Sequence, residues 1–298
     1  MRRRGIALPL VLWGIAFLSG IVILLSVRMK ERIEQEGRAE RAFRARQLAL
    51  RGLALGRHPG VQPGDAILSS GDPDDEGYEV RISDESGRIN PNFWAQSGDR
   101  SFFRNLFGSW EIPLQESDAA IDAMLDWIDG DDLRSMAGAE APEYTQAGMK
   151  GLPANAPFSN VEEMGLVLNL RDVLAARENW RDLFTIHHSG KINIQHAGPG
   201  VFQSVAGLVD RQIEAILEFR SGLDGIEGTE DDPKFGSVED AVAIAAATGA
   251  QADALRKFFD TSGSVRRIES TGFAGGIRRT VTAVVGDGGA SPLAWEER

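Results

Sequence analysis

From Ile6 to Val27 the chain runs 22 residues without an ionisable side chain, and no other feature limits its fold as much. At about 1.5 Å of rise per residue, a helix of that length spans about 33 Å, enough to cross a hydrocarbon core of about 30 Å. Arg2, Arg3 and Arg4 stand just before it, so the positive-inside tendency predicts a cytoplasmic N-terminus and places the body of the chain on the far side. A cleavable export signal has an apolar core of about 7 to 15 residues followed by small residues at its cut site. This run is longer and has no A-x-A pattern, which favours an anchor that is kept.

The charges after Val27 do not interrupt the helical pattern. The stretch RMKERIEQEGRAERAFRARQLALRGLAL contains no proline, is rich in Glu, Arg, Ala and Leu, and offers opposite charges three or four residues apart. One helix is therefore predicted from Ile6 to about Leu55, roughly 50 residues and about 75 Å long, half in lipid and half in water. Gly37 and Gly52 would each weaken it by about 1 kcal/mol relative to alanine. Pro9 would clash one turn back in a helix that began at Arg2. It fits the first turn of one that begins at Ile6, where backbone N–H groups have no helical partner.

Composition narrows the rest. With 42% hydrophobic and 26% charged residues among 298, the chain is of a folded class and long enough for two cores. Its net charge is −12, and without the three leading arginines the remainder is more negative still. That argues against a nucleic-acid or anionic-membrane partner for the bulk of the chain. The absence of cysteine excludes disulfides and thiolate chemistry and leaves the compartment open.

A short basic leader ending in Gly5, an apolar Ile6 after it, and a half-apolar, half-soluble helix resemble the type IV pilin and type II secretion pseudopilin families. The resemblance implies cleavage by a prepilin peptidase between Gly5 and Ile6, with N-methylation of Ile6. Those families usually carry Glu at the fifth mature position, where Leu10 stands here. In them the carboxylate is thought to meet the N-terminal amine of a neighbouring subunit, which makes two charges tolerable in an apolar filament core. Leu10 cannot do this, and the departure narrows the resemblance to the general secretion pathway protein K family, large minor pseudopilins placed at the filament tip.

The order of elements in the body agrees with that family. After a Gly/Pro/Asp-rich loop from Gly56 to Gly77, YEVRISDESGRIN reads as a strand, a turn and a second extended piece. Strand character returns in SVRRIESTGF and IRRTVTAVV, which flank AGG as a hairpin. Between them the chain reads as short helices joined by turns. The expected architecture is α+β, a small antiparallel-sheet pseudopilin domain interrupted by a large all-helical insertion. Its parts are a leader at 1–5, membrane helix at 6–27, soluble helix at 28–55, α/β domain at 56–92 and 263–298, and insertion at 93–262. DESGRINPN, MLDWIDGDD, LPANAPFSNVEEM and KINIQHAGPGVFQSVAGL also resemble the protein K family. A weak internal repeat, FSNVEEMGLV and FGSVEDAVAI, predicts two helix starts with Asn160/Glu163 and Ser237/Asp240 as capping boxes.

Residues 192 to 220 have the form of a helix-hairpin-helix around AGL, a unit that can bind DNA phosphates. Lys191, Arg211 and Arg220 are balanced by Asp210, Glu214 and Glu218, so a packing or protein-contact role is favoured over DNA binding. The stretch GLDGIEGTEDDPKFG places Asp224, Glu227, Glu230, Asp231 and Asp232 within nine residues among glycines. That carboxylate density suits Ca²⁺, and the protein K resemblance implies calcium in the helical domain; a solvated acidic loop is the alternative. The loops at 71–77 and 126–132 are weaker versions, in which Asp126 and Asp129 could equally be surface carboxylates. His58, His187, His188 and His196 lack the spacing of a zinc-hydrolase helix, and neither a G-x-S-x-G elbow nor a phosphate loop occurs. Trp94, Trp110, Trp127 and Trp180 are expected as core or interface anchors.

The expected function is structural and non-enzymatic: a minor pseudopilin supporting protein export across the outer membrane. It would be anchored by a single pass in the bacterial inner membrane, with a periplasmic body. The resemblance implies minor pseudopilins I and J, other pseudopilins and the inner-membrane assembly platform as partners, besides the prepilin peptidase. The other classes are a membrane-anchored helix-hairpin-helix protein for DNA binding or uptake, and a membrane-tethered hydrolase using Asp126 and Asp129.

Overall fold

The structure, a computed structural model, describes residues 7–72, 75–188, 190–225, 227, 231–263, 265–286 and 292–298, with 7–11, 23, 26, 27, 31 and 33 described as backbone. A single helix, α1, runs Ala7–Gly56. Its two halves differ in what covers them. Leu12, Trp13, Phe17, Leu18, Val22, Leu24 and Leu25 are exposed on every side of the first half, whereas Ala45, Ala49 and Leu53 are buried on one side of the second. The i, i+4 spacing of the buried residues marks the stripe that faces the sheet. Among the described residues no helix is long and apolar enough to cross a membrane. The expected span of 6–27 includes residues outside that set.

The sheet is antiparallel throughout. Strands β1 (Ser69–Gly71) and β2 (Glu76–Asp84) come before the inserted helices, and β5 (Val265–Ala274), β6 (Ile277–Gly286) and β7 (Ala294–Glu297) come after them. Their spatial order is β1-β2-β5-β6-β7. Thus β2 and β5, nearly two hundred residues apart in sequence, are direct neighbours, with Tyr78 opposite Gly272 and Ile82 opposite Ile268. The expected hairpin is β5–β6, turning through Gly275 and Gly276. The short edge strands β1 and β7 were not visible as patterns, because three- and four-residue strands with exposed faces carry little alternation.

Helix α1 lies unusually close to this sheet. A Cβ on Gly272 of β5 would stand 2.0 Å from the Ala45 carbonyl oxygen and 2.4 Å from the Ala49 nitrogen, so only glycine lets the two backbones touch. Gly52 does the same from the helix side, its missing side chain leaving room for Ser270, Val80 and Tyr78. Leu53, Val61, Leu68, Val80, Ile268, Val281, Ala283 and Val285 complete this core. At the helix C-terminus Arg266 donates to the carbonyls of Gly56, His58 and Val61, a cation where the helix dipole is negative. Arg46 grips Glu297 of β7 through two bonds of 2.7 and 2.8 Å.

Between β2 and β5 sits a second core. Its elements are α2 (Pro91–Gln96), α3 (Arg100–Gly108), α4 (Leu114–Ile128), α5 (Ala141–Gln146), α6 (Leu170–Ala175), α7 (Pro199–Val201), α8 (Asp210–Arg220), α9 (Val238–Ile244) and α10 (Ala250–Phe258). Trp94 stacks on Phe102 at 4.1 Å and meets Phe258 edge-on, joining the first helices of the block to the last. Trp127 and Trp180 are buried and Trp110 is partly buried, so the tryptophans serve as core anchors.

The block departs from the expected all-helical character in two places. Two short strands, β3 (Ile192–Asn193) and β4 (Phe259–Asp260), pair in parallel, because the apolar Ile192 and Phe259 are fully buried and need backbone partners there. The first copy of the repeat forms a 3-10 turn over Val161–Leu166 instead of an α-helix. In it Glu163 bonds Ser159, one residue before the expected cap, whereas Ser237 and Asp240 form the predicted capping box.

The insertion leaves and rejoins the sheet at one point. Asp84 accepts from Ser86 N at 2.7 Å and from Val265 N at 3.3 Å, closing the loop across 181 residues. Beside it the buried Glu85 pairs with Arg267 at 3.1 Å and Arg88 at 3.5 Å. Asn193 donates to the Gly263 carbonyl at 2.8 Å, and Ile89 exchanges backbone bonds with Leu183 and Thr185. The DESGRIN stretch is thus the joint between the two cores.

Replacing Gly272 by alanine is expected to force α1 off the sheet and to destabilise the chain by about 3 kcal/mol in denaturant titration. Gly130→Ala, where nothing lies within 4 Å of the added Cβ, serves as the control and should change stability by less than about 0.5 kcal/mol.

Candidate functional site

The acidic loop between α8 and α9 is held at both ends by the segment that precedes α8. The last residue of α8, Arg220, is buried; its Nη1 donates to the Ala197 carbonyl at 2.6 Å, and its Nη2 pairs with Glu227. Burial lowers the Arg220 pKa, and Glu227 opposes that shift by stabilising the charge. At the other end Gln195 donates to the Pro233 carbonyl at 3.3 Å and accepts from Phe235 N at 3.1 Å. Phe219 and Phe235 pack ring to ring at 4.8 Å beneath the loop.

Within the loop, ligand oxygens of Asp224, Asp231 and Asp232 lie within 4.8 Å of one another. Among the described residues this is the only such carboxylate trio. Asp231 Oδ2 accepts from Leu223 N at 2.7 Å and Asp224 N at 3.3 Å, folding the two sides of the loop together. Gly222, at φ +61°, makes room for this: a Cβ there would stand 2.6 Å from Asp231 Oδ2. Like charges at such a separation repel by about 1 kcal/mol per pair in water-like surroundings and by more near protein. Three hard oxygen donors on a loop shaped around them fit Ca²⁺, whose remaining ligands are backbone carbonyls and water.

The structure divides the five expected carboxylates. Asp224, Asp231 and Asp232 come together, Glu227 pairs with Arg220 while staying exposed, and Glu230 lies outside the described residues. Arg220 was weighed in the sequence as a surface cation of a helix-hairpin-helix. Its burial was not legible because a basic residue in the last turn of a helix is usually a solvated one.

The hairpin itself forms as α7, a short wider turn over Phe202–Ala206, left-handed Gly207, and α8. Of its cations, Arg220 is internal, Lys191 donates to the Arg256 carbonyl, and Arg211 is exposed. His188 bonds the Arg88 carbonyl at 2.7 Å and His196 lies 3.8 Å from Asp84, so both serve the joint between the cores. Desolvation is the main cause that lowers the His188 pKa. Asp126 is fully buried, contrary to the surface reading, because α4 turns this face toward the Ser135–Gly138 loop. Gly5 and Ile6 lie outside the described residues, as does the side chain of Leu10.

Comparison with known proteins bears on the whole chain. Residues 86–177 match the family model of type II secretion system protein K. That stretch starts at the joint after β2 and ends beyond α6, within the inserted core. The fold is similar to a chain in the crystal structure of the GspK–GspI–GspJ complex from the enterotoxigenic Escherichia coli type 2 secretion system, with a TM-score of 0.59 and 16% identity. The match covers 91% of this chain and 99% of that one. No curated protein matches this sequence. Residues 86–177 are therefore similar to the protein K domain of the type II secretion system, the minor pseudopilin family the sequence resembles.

Proposed function

We propose that this minor pseudopilin caps the tip of the type II secretion pseudopilus and acts by packing, without catalysis, in protein export across the outer membrane. The observation that carries the reading is the placement of the insertion. A second core as large as this one grows from between two neighbouring strands of a small sheet that is fixed to a long, half-apolar helix. Such bulk on one subunit obstructs the addition of another above it.

The first half of α1 supports the assembly role. Its apolar residues are exposed all round, which in water is costly and in a bilayer or a bundle of like helices is favourable. Before assembly this half would hold the chain in the inner membrane as a single pass, with the acidic body in the periplasm. Leu10 fits a terminal subunit, since it offers no charge that seeks the amine of a neighbour. Processing between Gly5 and Ile6 by the prepilin peptidase, with methylation of Ile6, would bring Pro9 into the first turn. The similar solved chain comes from a complex with GspI and GspJ. Minor pseudopilins I and J are accordingly the partners proposed here, with other pseudopilins and the assembly platform. Nucleic acid has no part in this reading.

Calcium at Asp224, Asp231 and Asp232 would act on shape, cancelling repulsion in a loop that the hairpin already clamps. The ion would make the acidic end of the body rigid, and it would have no role in bond chemistry.

Two measurements test these readings. The mass of the N-terminal peptide of the mature protein is expected to correspond to a methylated chain starting at Ile6. An intact Met1, or loss of the entire apolar run, would refute the pseudopilin processing. For the loop, Ca²⁺ at 100 times its Kd is expected to stabilise the chain by about 2.7 kcal/mol, visible as a rise in melting temperature. Asp231→Ala combined with Asp232→Ala should abolish the part of the rise that this loop supplies, and an unchanged rise in the double variant would rule the loop out.

A further inference from the structure

Two adjacent histidines fasten the inserted body to the sheet domain. His188 is buried and reaches back to the chain that leaves β2: its Nε2 bonds the Arg88 carbonyl at 2.7 Å, and its own carbonyl accepts from Asn90 Nδ2. A carbonyl only accepts, so Nε2 carries the hydrogen and Nδ1 is the place left for a second proton. His187 is partly buried beside it, its backbone N–H bonded to Thr185 Oγ1 at 3.2 Å. Just before the pair, the Leu183 carbonyl accepts from Ile89 N at 2.8 Å and Thr185 N donates to the Ile89 carbonyl at 2.9 Å. The stretch 183–188 therefore holds 88–90 by main chain and side chain together, where the two cores join.

The groups that face this pair have both signs. His187 faces Glu85 and, around that carboxylate, Arg267, Arg88 and His188; His188 faces Asp84, Glu85 and Asp260. Desolvation is the largest influence on both rings and holds both pKa values below the ordinary 6.5, against the pull of the carboxylates. Glu85 is already shared by Arg88 and Arg267, so a charged His187 would be a third cation beside one buried carboxylate. Lys191 is turned away, its Nζ donating to the Arg256 carbonyl at 3.3 Å. Desolvation lowers the His196 pKa as well. Its side chain, however, is 40% exposed and 3.8 Å from Asp84, where water and a carboxylate receive its charge.

The joint has room to move. A cleft of about 610 Å³ opens beside the pair, lined by His187, His188 and Asp260 on one side and by Val265 and Gly286 of the sheet on the other. Water and protons reach the rings through it. The chain passes between the bodies only twice, after Asp84 and before Val265, and two short crossings are what a hinge requires. We propose that His187 and His188 form an acid-released clip: neutral, they lock the insertion onto the sheet domain, and protonated, they let it swing about the two crossings. The pose of the inserted body, and the surface it offers to a neighbour, then responds to the acidity around it.

The direction of the effect is fixed. Rings released into water titrate near 6.5 and clipped rings lower, so the open state binds more protons than the closed one once pH falls below 6.5. Closure is complete above that value and weakens as pH falls through the clipped values. The opening constant rises by up to about tenfold per pH unit for each histidine released.

The test is hydrogen exchange on the full chain in detergent micelles, read at the Ile89 and Thr185 amides and corrected for intrinsic rates, at about pH 7.5 and about pH 5. The expected result is an opening constant at least about tenfold larger in acid, with the β5–β6 ladder keeping its protection. His187→Gln combined with His188→Gln leaves a donor at each position and no titratable ring, and should lose the rise; His196→Gln should keep it. Equal protection at both pH values in the wild type would overturn the clip, as would an unchanged rise in the double variant or a rise lost in His196→Gln alone. A second measurement needs no histidine variant. The chain has no cysteine, so spin labels on Glu79→Cys of the sheet and Met136→Cys of the insertion, both at exposed positions, report the distance between the bodies. That distance distribution is expected to broaden in acid, and one that is identical at both pH values would refute the swing.

Discussion

The fold depends on one contact, the approach of α1 to β5 at Gly272. Helix and strand meet there backbone to backbone, beside the buried Ala45 and Ala49. A gap of ordinary side-chain width would leave α1 on a layer of rotamers that can shift; a backbone contact fixes its height and register against the sheet. Everything beyond the sheet takes its position from that, because α1 covers β2, β5 and β6, and the insertion emerges from β2 and β5. Gly52, which on propensity alone is a weak point of the helix, belongs to the same contact. Its loss of helical preference is about 1 kcal/mol, set against a clash with Val80, Tyr78 and Ser270 for any larger residue.

The joint shows how a domain can be inserted without disturbing its host. Asp84 and Arg266 are paired across β2 and β5, so the intervening chain starts and ends at neighbouring points, and the ladder forms whether the loop is short or long. Loop length adds only slowly to the entropy of closure. The insertion still needs its own core, which the aromatic contacts of Trp94, Phe102 and Phe258 provide by bringing its two ends together. Buried Glu85, paired with Arg88 and Arg267, then fixes the angle between the two bodies, because both arginines must reach one carboxylate.

The long helix, the β5–β6 hairpin and the tryptophan core could be read from the sequence, because each has a period or a composition that few other structures share. The two-stranded β3–β4 pair could not, since two residues show no alternation. The repeat at 158–167 and 235–244 led to equivalent helix starts, yet only Ser237 caps an α-helix. At the other copy Glu163 is drawn to Ser159, and the chain tightens into a 3-10 turn. The acidic loop was legible as a loop of carboxylates but not as one with a division of labour. Which carboxylate pairs with Arg220 depended on where Arg220 went, and that was set by the Ala197 carbonyl, a backbone group with no sequence signature. Glu140 carried even less signal, since a single glutamate before a proline-containing helix start reads as a cap. The structure places it at that cap, with its amide bonded to Glu143.

Charge is distributed along this molecule rather than across its faces. The first half of α1 has no ionisable residue from Ile6 to Val27, and the body that follows is strongly acidic. Most of its carboxylates are handled in the ordinary way, by arginine at the surface, as with Asp118 and Arg104 or Glu239 and Arg256. The trio at Asp224, Asp231 and Asp232 is arranged differently, with its oxygens gathered on the irregular connection between α8 and α9. A small inorganic ion fixes such connections more economically than an arginine, because it brings no side-chain entropy of its own and can take six to eight oxygens at once. The aromatic core orders the helical body from inside, and the calcium proposed at this loop would order it there.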